Sequence, residues 1–203
     1  QADKSKQWPL TVSLVVETEH HTVTVELSTT VNIVNNKLVF YRVSSAKAKD
    51  YFSLYIHQLM VQIWQQNQAI SPVQKSLLSA DELNRVEATQ GYYFDTKNQK
   101  VTHFSYQKIH QPELLLAQLL QTFLRGQHQP LLLSGELAEK LITSKMFEQS
   151  QFEKFWHDTN RFQVFGDDPY INYFWPSCPL FASFEPLLNQ IYTPVYQYKD
   201  QLA

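Results

Sequence analysis

The chain has 203 residues, 43% of them hydrophobic and 18% charged, which allows one sizeable core or two small ones and excludes a disordered tail. The formal net charge is only −2, so any nucleic-acid contact requires a local basic patch. A single cysteine, Cys178, excludes an internal disulfide and a cysteine-based zinc site. It favours a reducing compartment, and we expect a cytoplasmic protein without a membrane span. Because no initiator methionine is present, we also expect a piece of a longer chain.

The amino-terminal part of the sequence predicts a three-stranded meander. Apolar and polar residues alternate over residues 10–18, 22–34 and 37–43, and short polar turns separate the three runs. Successive side chains of a strand point to opposite faces, so each run predicts a strand with one buried face.

A long helix is predicted directly after the third strand. Residues 46–68 carry apolar side chains at spacings of three and four. A second hairpin is predicted from the alternation at residues 91–95 and 100–106, with the polar turn 96–99 between them.

Beyond Pro112 the pattern becomes helical, and Gly126 predicts where the first of these helices ends. Its apolar stripe consists of Leu116, Leu119, Leu120 and Phe123. Further helices are predicted at residues 135–143, 151–159 and 180–192, and Pro186 is expected to disturb the last one.

Aromatic residues are concentrated at the end of the chain, where the final 53 residues hold 14 of the 28. The set includes Trp156, Phe162, Phe165, Tyr170, Tyr173, Phe174 and Trp175. We interpret it as a compact core, because aromatic side chains dominate burial wherever they cluster. A docking face is the alternative.

Residues 22–66 have the order of elements at the centre of a metal-dependent DNA nuclease, two strands and a long helix. Where such a nuclease has an acid, then a second acid, then a lysine, this chain has Asn32, Tyr41 and Val43. Magnesium takes anionic oxygen ligands, activates water and stabilises the charge on a cleaved phosphate. Asn32 is neutral, and the other two side chains offer no carboxylate or ammonium. We therefore expect no catalytic metal and no cofactor.

A basic patch is the best candidate for DNA contact. Lys37, Arg42, Lys47 and Lys49 bracket the end of the third strand and the start of the long helix, and helix amino ends attract phosphate. A solvated face is the preferred interpretation, because lysine and aspartate alternate at the helix start.

Other ionisable residues allow a second hypothesis, a working nuclease that takes its carboxylates from Glu17, Glu19 or Glu26. Glu26 is the strongest of the three, although its parity predicts a solvent-facing side chain. Asp95 and Lys97 have an acid–spacer–lysine order, but the surrounding polar run predicts a turn. The histidines have no metal-ligand spacing.

Several segments together resemble the carboxy-terminal domain of the RecC (gamma) subunit of exodeoxyribonuclease V. They are the strand ends Val31–Val34 and Leu38–Val43, the helix through Leu54, Tyr55, His57 and Leu59, the segment Leu115–Leu133, and the aromatic tail from Asp167 to Tyr198. The order of these features covers most of the chain.

The resemblance implies an α/β, restriction-endonuclease-like fold in which a mixed sheet is flanked by helices and followed by a helical, aromatic-rich C-terminal extension. We expect residues 1–110 to form the degenerate nuclease-like core and residues 111–203 the extension packed on it. The implied function is a non-catalytic docking domain within RecBCD, with RecB (beta) and RecD (alpha) subunits as partners and DNA inside the complex. A stand-alone DNA-binding module is a further alternative.

Overall fold

The computed structural model describes residues 7–19, 21–70, 78–158, 166 and 168–202. Two compact units are present: Gln1–Leu124 with Tyr198–Ala203, and Arg125–Gln197. The division into residues 1–110 and 111–203 that the sequence predicts stays a prediction.

The first unit contains a mixed sheet, as the sequence predicts, and this sheet has six strands. Its strands are β1 (Gln7–Glu17), β2 (Thr22–Val34), β3 (Lys37–Arg42), β4 (Ala88–Asp95), β5 (Lys100–Tyr106) and β6 (Lys199–Leu202). Their order across the sheet follows the chain. β3 and β4 are parallel, and all other neighbours are antiparallel. The predicted meander of β1, β2 and β3 and the hairpin of β4 and β5 are therefore confirmed.

Eight α-helices are found in the described part of the chain. They are α1 (Ala48–Ile70), α2 (Leu78–Asn84), α3 (Pro112–Gly126), α4 (Gly135–Ser144), α5 (Gln149–Trp156), α6 (Pro169–Phe174), α7 (Phe181–Leu187) and α8 (Thr193–Gln197). Together with the sheet they confirm the predicted α/β class.

Helix α1 covers one face of the sheet in the first unit. Leu10 and Val16 of β1 are fully buried, while the residues between the inward positions are exposed, so β1 alternates along its length. α1 contacts β1, β4 and β5. The ring of His57 lies 4.7 Å from that of Phe40, which fixes the orientation of β3 as well.

Buried amides connect α1 to the sheet and to the segment after β5. Thr89 donates from its hydroxyl to Gln58 Oε1 at 2.9 Å, and Gln58 donates to Gln62. Gln62 then bonds both backbone groups of Ile109, at 3.0 and 2.9 Å. Each of these bonds satisfies a buried polar group. Hydrogen bonds as well as apolar contacts therefore fix the position of α1 on the sheet.

The second unit has an aromatic core. Phe152 contacts the rings of Trp156, Phe181 and Phe184, all of which are buried. The helical run predicted at residues 180–192 is α7 followed by a π-helical turn, Leu188–Tyr192. The irregularity begins two residues after Pro186, which has no N–H to continue the regular hydrogen-bond pattern.

The stripe predicted for α3 is only partly correct. Leu116 and Leu120 are buried, but Phe123 is 61% exposed, and the neighbouring Thr122 is buried in its place. The predictions that fall on Thr159, Phe162 and Phe165 lie outside the described residues.

We predict that Gly91→Ala destabilises the first unit. A Cβ at position 91 would lie 2.7 Å from Leu54 Cδ2 on α1 and 2.7 Å from Tyr93, too close without movement of the helix or the strand. Overpacking of this kind costs about 1–3 kcal/mol. Urea denaturation measures the change, and Gly126→Ala is the matched control, because its Cβ would meet only Leu131 at 3.5 Å. Equal stability of the two variants would contradict the close approach of α1.

A second prediction concerns pH. Burial lowers the pKa of His57, and this is partly offset by the hydrogen bond to the Ser53 carbonyl. In the unfolded chain the pKa is about 6.5, so the unfolded state takes up a proton first as the pH falls. Stability is expected to decrease below about pH 6.5 and to level off below the folded-state pKa. Chemical denaturation between neutral and acidic pH measures this loss of stability. His57→Gln is expected to remove part of the loss. His110→Gln, at an exposed position, is the control and is expected to leave the loss unchanged.

Candidate functional site

The three positions predicted to replace the nuclease residues lie at or beside strands β2 and β3. Phe40 and Arg42 contact α1, so Tyr41 between them points to the opposite face of the sheet. Asn32 also points away from α1, because its neighbour Val31 is buried and successive strand residues point to opposite faces. Tyr41 is 80% exposed, and Val43, just past the strand end, is 71% exposed.

Asn32 is the only one of the three positions with a buried polar atom. Its Oδ1 is shielded from solvent and has no hydrogen-bond partner among the described residues. A single neutral oxygen is a weak cation ligand without carboxylates beside it, and neither Tyr41 nor Val43 supplies one. The side chains at these positions therefore do not fit a magnesium site.

The sheet face opposite α1, called here the open face, carries exposed rings on neighbouring strands. Tyr41 of β3 pairs with Tyr92 of β4, and Tyr92 pairs with His103 of β5. One step further along the sheet, Phe94 pairs with Val101, which is 60% exposed. Tyr92 and Phe94 are 37% and 39% exposed. Sequence reasoning did not identify this surface, although the alternation of residues 91–95 contained the signal for it.

Two contacts hold the ring of Tyr92. It stacks on His103 with centroids 4.1 Å apart, and its hydroxyl donates to Gln90 Oε1 at 2.9 Å. Burial lowers the pKa of His103, and the charge of Lys37 lowers it further. A neutral imidazole is therefore favoured at neutral pH, and the central ring of the face is fixed in orientation.

The Arg42 guanidinium forms its contacts with residues of the first unit. It donates to Asp50 Oδ2 at 2.6 Å and to the Ser45 carbonyl, and it lies 5.6 Å from the ring centre of Tyr93. Asp50, which is almost completely buried, also accepts from the Lys47 backbone N–H at 2.8 Å. The Asp50 carboxylate therefore caps the amino end of α1, where a negative charge is favourable.

The structure does not bring the four predicted basic residues into one patch. Lys37 begins β3 on the open face, whereas Arg42 ends the strand on the opposite face, about 16 Å along the chain. Lys47 and Lys49 are exposed beside the start of α1. DNA binding by the predicted set of four therefore stays a prediction.

The loop after β3 and the turn after β4 are connected by a hydrogen bond at the edge where these two strands end. Ser45, in the loop after β3, and the turn after β4 both donate hydrogen bonds to Asp95, which hold the pKa of that carboxyl below its usual range. The acid–spacer–lysine order at Asp95 is thus a turn, with the Lys97 and Asn98 backbone N–H groups bonded to Asp95 Oδ1. The exposed lysines in or beside these two loops are Lys47, Lys49, Lys97 and Lys100.

The carboxylates of the alternative nuclease hypothesis are spread along the β1–β2 hairpin. Glu17, Glu19 and Glu26 are all exposed, and Glu26 pairs with Ser13. Among the described residues, no three His, Cys, Asp or Glu side chains lie close enough together to hold a metal ion.

The tail aromatics divide between a core and a surface. Trp156 is buried, as the preferred interpretation requires, but helix α6 buries none of its residues. Tyr170 and Tyr173 are 83% and 80% exposed, and Phe174 is 51% exposed. The core interpretation therefore covers only part of this set, and the docking-face alternative stays a prediction.

A family model described as the RecC C-terminal domain matches residues 1–145. The chain belongs to this family. RecC is a subunit of RecBCD, the exodeoxyribonuclease V complex of DNA repair and recombination, so the resemblance drawn from the sequence is confirmed. The match includes the whole β1–β5 region with α1, and it ends before α5 and α6. No curated protein and no solved structure matches the chain.

The helices of the described residues include none with the length and apolarity needed to span a bilayer. The cytoplasmic location expected from the cysteine content stays a prediction.

We predict that Asp50→Ala lowers the free energy of unfolding by about 1–3 kcal/mol, because it leaves a half-buried guanidinium and the Lys47 N–H without their acceptor. Equilibrium denaturation measures this loss. Glu26→Gln is the control, since an exposed carboxylate away from such contacts changes stability by less than about 0.5 kcal/mol. A loss no larger than that for Asp50→Ala would show that the ion pair is not structural.

Proposed function

We propose that the chain is a non-catalytic structural and subunit-docking domain of RecBCD, the ATP-dependent helicase and exonuclease used in double-strand break repair and homologous recombination. Its partners are RecB (beta) and RecD (alpha) type subunits. Membership of the RecC family supports this assignment, and the exposed aromatic helix α6 is the observation that carries the docking role.

The absence of catalysis is argued from the chemistry of the side chains. A metal-dependent nuclease of this plan gathers two carboxylates and a lysine around the scissile phosphate. At the corresponding positions this chain has an amide, a phenol and an isopropyl group, and the last two project into solvent. Of the exposed glutamates, Glu17 ends β1, Glu19 lies in the turn before β2, and Glu26 lies about 20 Å from Asn32 along β2.

The docking role is argued from the construction of α6. A six-residue helix is unstable by itself in water, and this one buries no side chain that could hold it in place. Local contacts hold it instead: Asp168 accepts from the Tyr170 and Ile171 N–H groups, and Pro169 occupies the first turn. The result is a preformed helix that displays two tyrosines and a phenylalanine. Tyrosine is enriched among the residues that dominate interface energies.

We predict that Tyr170→Ala combined with Tyr173→Ala weakens association with RecB and RecD subunits. Loss of interface anchors of this type costs at least about 2 kcal/mol, which is about 30-fold in the dissociation constant. Titration of labelled chain with the partner subunits measures it. Because both tyrosines are more than three-quarters exposed, the melting temperature of the isolated chain is expected to stay unchanged.

Phe123→Ala is the matched control for this experiment, because Phe123 is an exposed ring that belongs to the first unit. It is expected to leave the affinity unchanged. An unchanged dissociation constant for the double tyrosine variant would remove α6 from the interface.

A cleavage assay tests the alternative of a working nuclease. Linear single- and double-stranded DNA is incubated with the chain and Mg²⁺ or Mn²⁺, and no metal-dependent product is expected. Cleavage that disappears in Glu26→Gln would establish the alternative and contradict the proposal.

A further inference from the structure

We propose that strand β1 binds an extended, lysine- or arginine-containing segment of a partner protein, which adds to the sheet as a further strand beside it. This goes beyond the docking proposed for α6, because it concerns a different surface, in the first unit. The two can fail separately.

β1 lies at the edge of the sheet. It is first in the strand order, so β2 is on one side of it and no strand of the described residues is on the other. Its pairing with β2 runs over 11 residues in continuous register, without a bulge. Natural proteins protect long edges with lysines, bulges or covering elements, because an unpaired row of N–H and C=O groups accepts another strand. From residue 9 to residue 16, β1 has no charged side chain.

The backbone groups that face away from β2 are those of the odd-numbered residues. In an antiparallel pair, alternate residues bond to the partner strand and the others direct both N–H and C=O outward. Thr18, just past β1, donates its N–H to the His21 carbonyl at 2.9 Å, so the even-numbered residues bond to the neighbouring strand. The Glu17 carbonyl instead accepts from the Gln121 side chain at 2.9 Å, which places it on the outward side. Pro9, which has no N–H, shares this parity, as expected for proline in an edge strand.

These outward groups form what is called here the free edge. It comprises the N–H groups of Thr11, Ser13, Val15 and Glu17 and the C=O groups of Pro9, Thr11, Ser13 and Val15. Within the described part of the chain, no hydrogen bond to these groups is found. All five residues are exposed, so a further strand can approach them.

The free edge is held in place before a partner arrives. β1 is anchored by four buried side chains, those of Leu10, Val12, Leu14 and Val16. Pairing with a fixed strand loses little conformational entropy, which favours affinity. The other side of the β1–β2 hairpin is held less firmly: β2 pairs with β3 only at Ile33 and Val34, and none of its residues from 22 to 30 is buried.

Charge selects the occupant. Residues 7–36 contain three glutamates and no lysine or arginine. Glu17 and Glu26 lie on the exposed face of the hairpin, where Glu26 pairs with Ser13. Nucleic acid is repelled by these carboxylates, and only a polypeptide has N–H and C=O groups at the spacing of a strand. Because opposite charges on neighbouring strands attract, the exposed side of the added strand carries lysine or arginine.

The buried face of β1 specifies the other side chains of the added strand. A strand that joins a sheet continues both of its faces, so every second side chain lies beside the buried row of β1 and is apolar. A second copy of the chain fits this edge less well. Pairing of two β1 strands brings together two hairpins that each carry three glutamates and no cationic lysine or arginine.

The test uses the 203-residue chain and a fluorescein-labelled synthetic peptide of about nine residues, an ordinary strand length. Valine occupies every second position of the peptide, and lysine and threonine alternate between the valines. Fluorescence anisotropy at low salt measures binding, which is expected to weaken as salt screens the charges. The same peptide with glutamate in place of lysine is the control and is expected to bind at least about tenfold more weakly.

Proline substitution tests which edge is used. Ser13→Pro removes an outward N–H of β1 but no bond to β2, and it is expected to weaken peptide binding at least about fivefold, the loss of one hydrogen bond. Thr24→Pro is the matched control. Thr24 is the exposed partner of Val15, and its N–H points to the other side of the hairpin, so binding is expected to stay unchanged.

Amide hydrogen exchange distinguishes strand pairing from a purely electrostatic contact, and it needs no variant. In the free chain, the N–H groups of Thr11, Ser13 and Val15 are expected to exchange rapidly, whereas those of the even-numbered residues between them are protected by the ladder with β2. The lysine peptide is expected to slow exchange at the three odd-numbered positions.

Four results would overturn the proposal. The first two are absence of binding at low salt and equal affinity for the lysine and glutamate peptides. The third is binding that leaves exchange at Thr11, Ser13 and Val15 unchanged. The fourth is a dimer of the chain in sedimentation that Ser13→Pro dissociates, which would assign the free edge to a second copy.

Discussion

The packing of α1 across one side of the sheet is the constraint on which the other features depend. Strand side chains alternate between two faces, so fixing one face under a helix determines which residues are displayed on the other. Leu54 approaches Gly91 too closely for any larger residue, and His57 packs on Phe40. These contacts direct Arg42 toward α1 and Tyr41 away from it. Packing of the core therefore determines which strand residues are exposed on the face opposite α1.

Local patterning predicts much of the first unit. The bounds of β2 agree with the alternation of residues 22–34, and the strong three-and-four spacing after β3 predicts α1 within two residues at each end. β6 was missed because four residues form a strand there only through pairing with β5, nearly a hundred positions earlier. α6 was missed for the opposite reason: its stability comes from a cap and a proline, with no apolar stripe to detect. Phe123 shows a further limit. Its spacing places it on the apolar stripe of α3, but spacing does not show whether other residues cover that part of the stripe.

The candidate site shows where proximity in sequence misleads. Lys37 and Arg42 are five positions apart, but strand parity places them on opposite faces, and Arg42 is occupied by Asp50. Lys47 and Lys97 are fifty positions apart, yet the Ser45–Asp95 hydrogen bond connects their loops. The sequence could indicate that Asn32, Tyr41 and Val43 offer no carboxylate, because that needs only the strand order. It could not indicate that these two loops are neighbours, because that follows from the parallel pairing of β3 and β4.

Under the proposed function, neutral side chains at the three nuclease-like positions affect the energetics of the open face as well as its chemistry. Carboxylates close enough to share a metal repel each other when it is absent, and that repulsion opposes folding of the metal-free state. Asn32, Tyr41 and Val43 carry no charge, so this face needs no cation to offset repulsion. It instead exposes apolar rings, each leaving surface in water whose burial would yield about 25 cal/mol per Å².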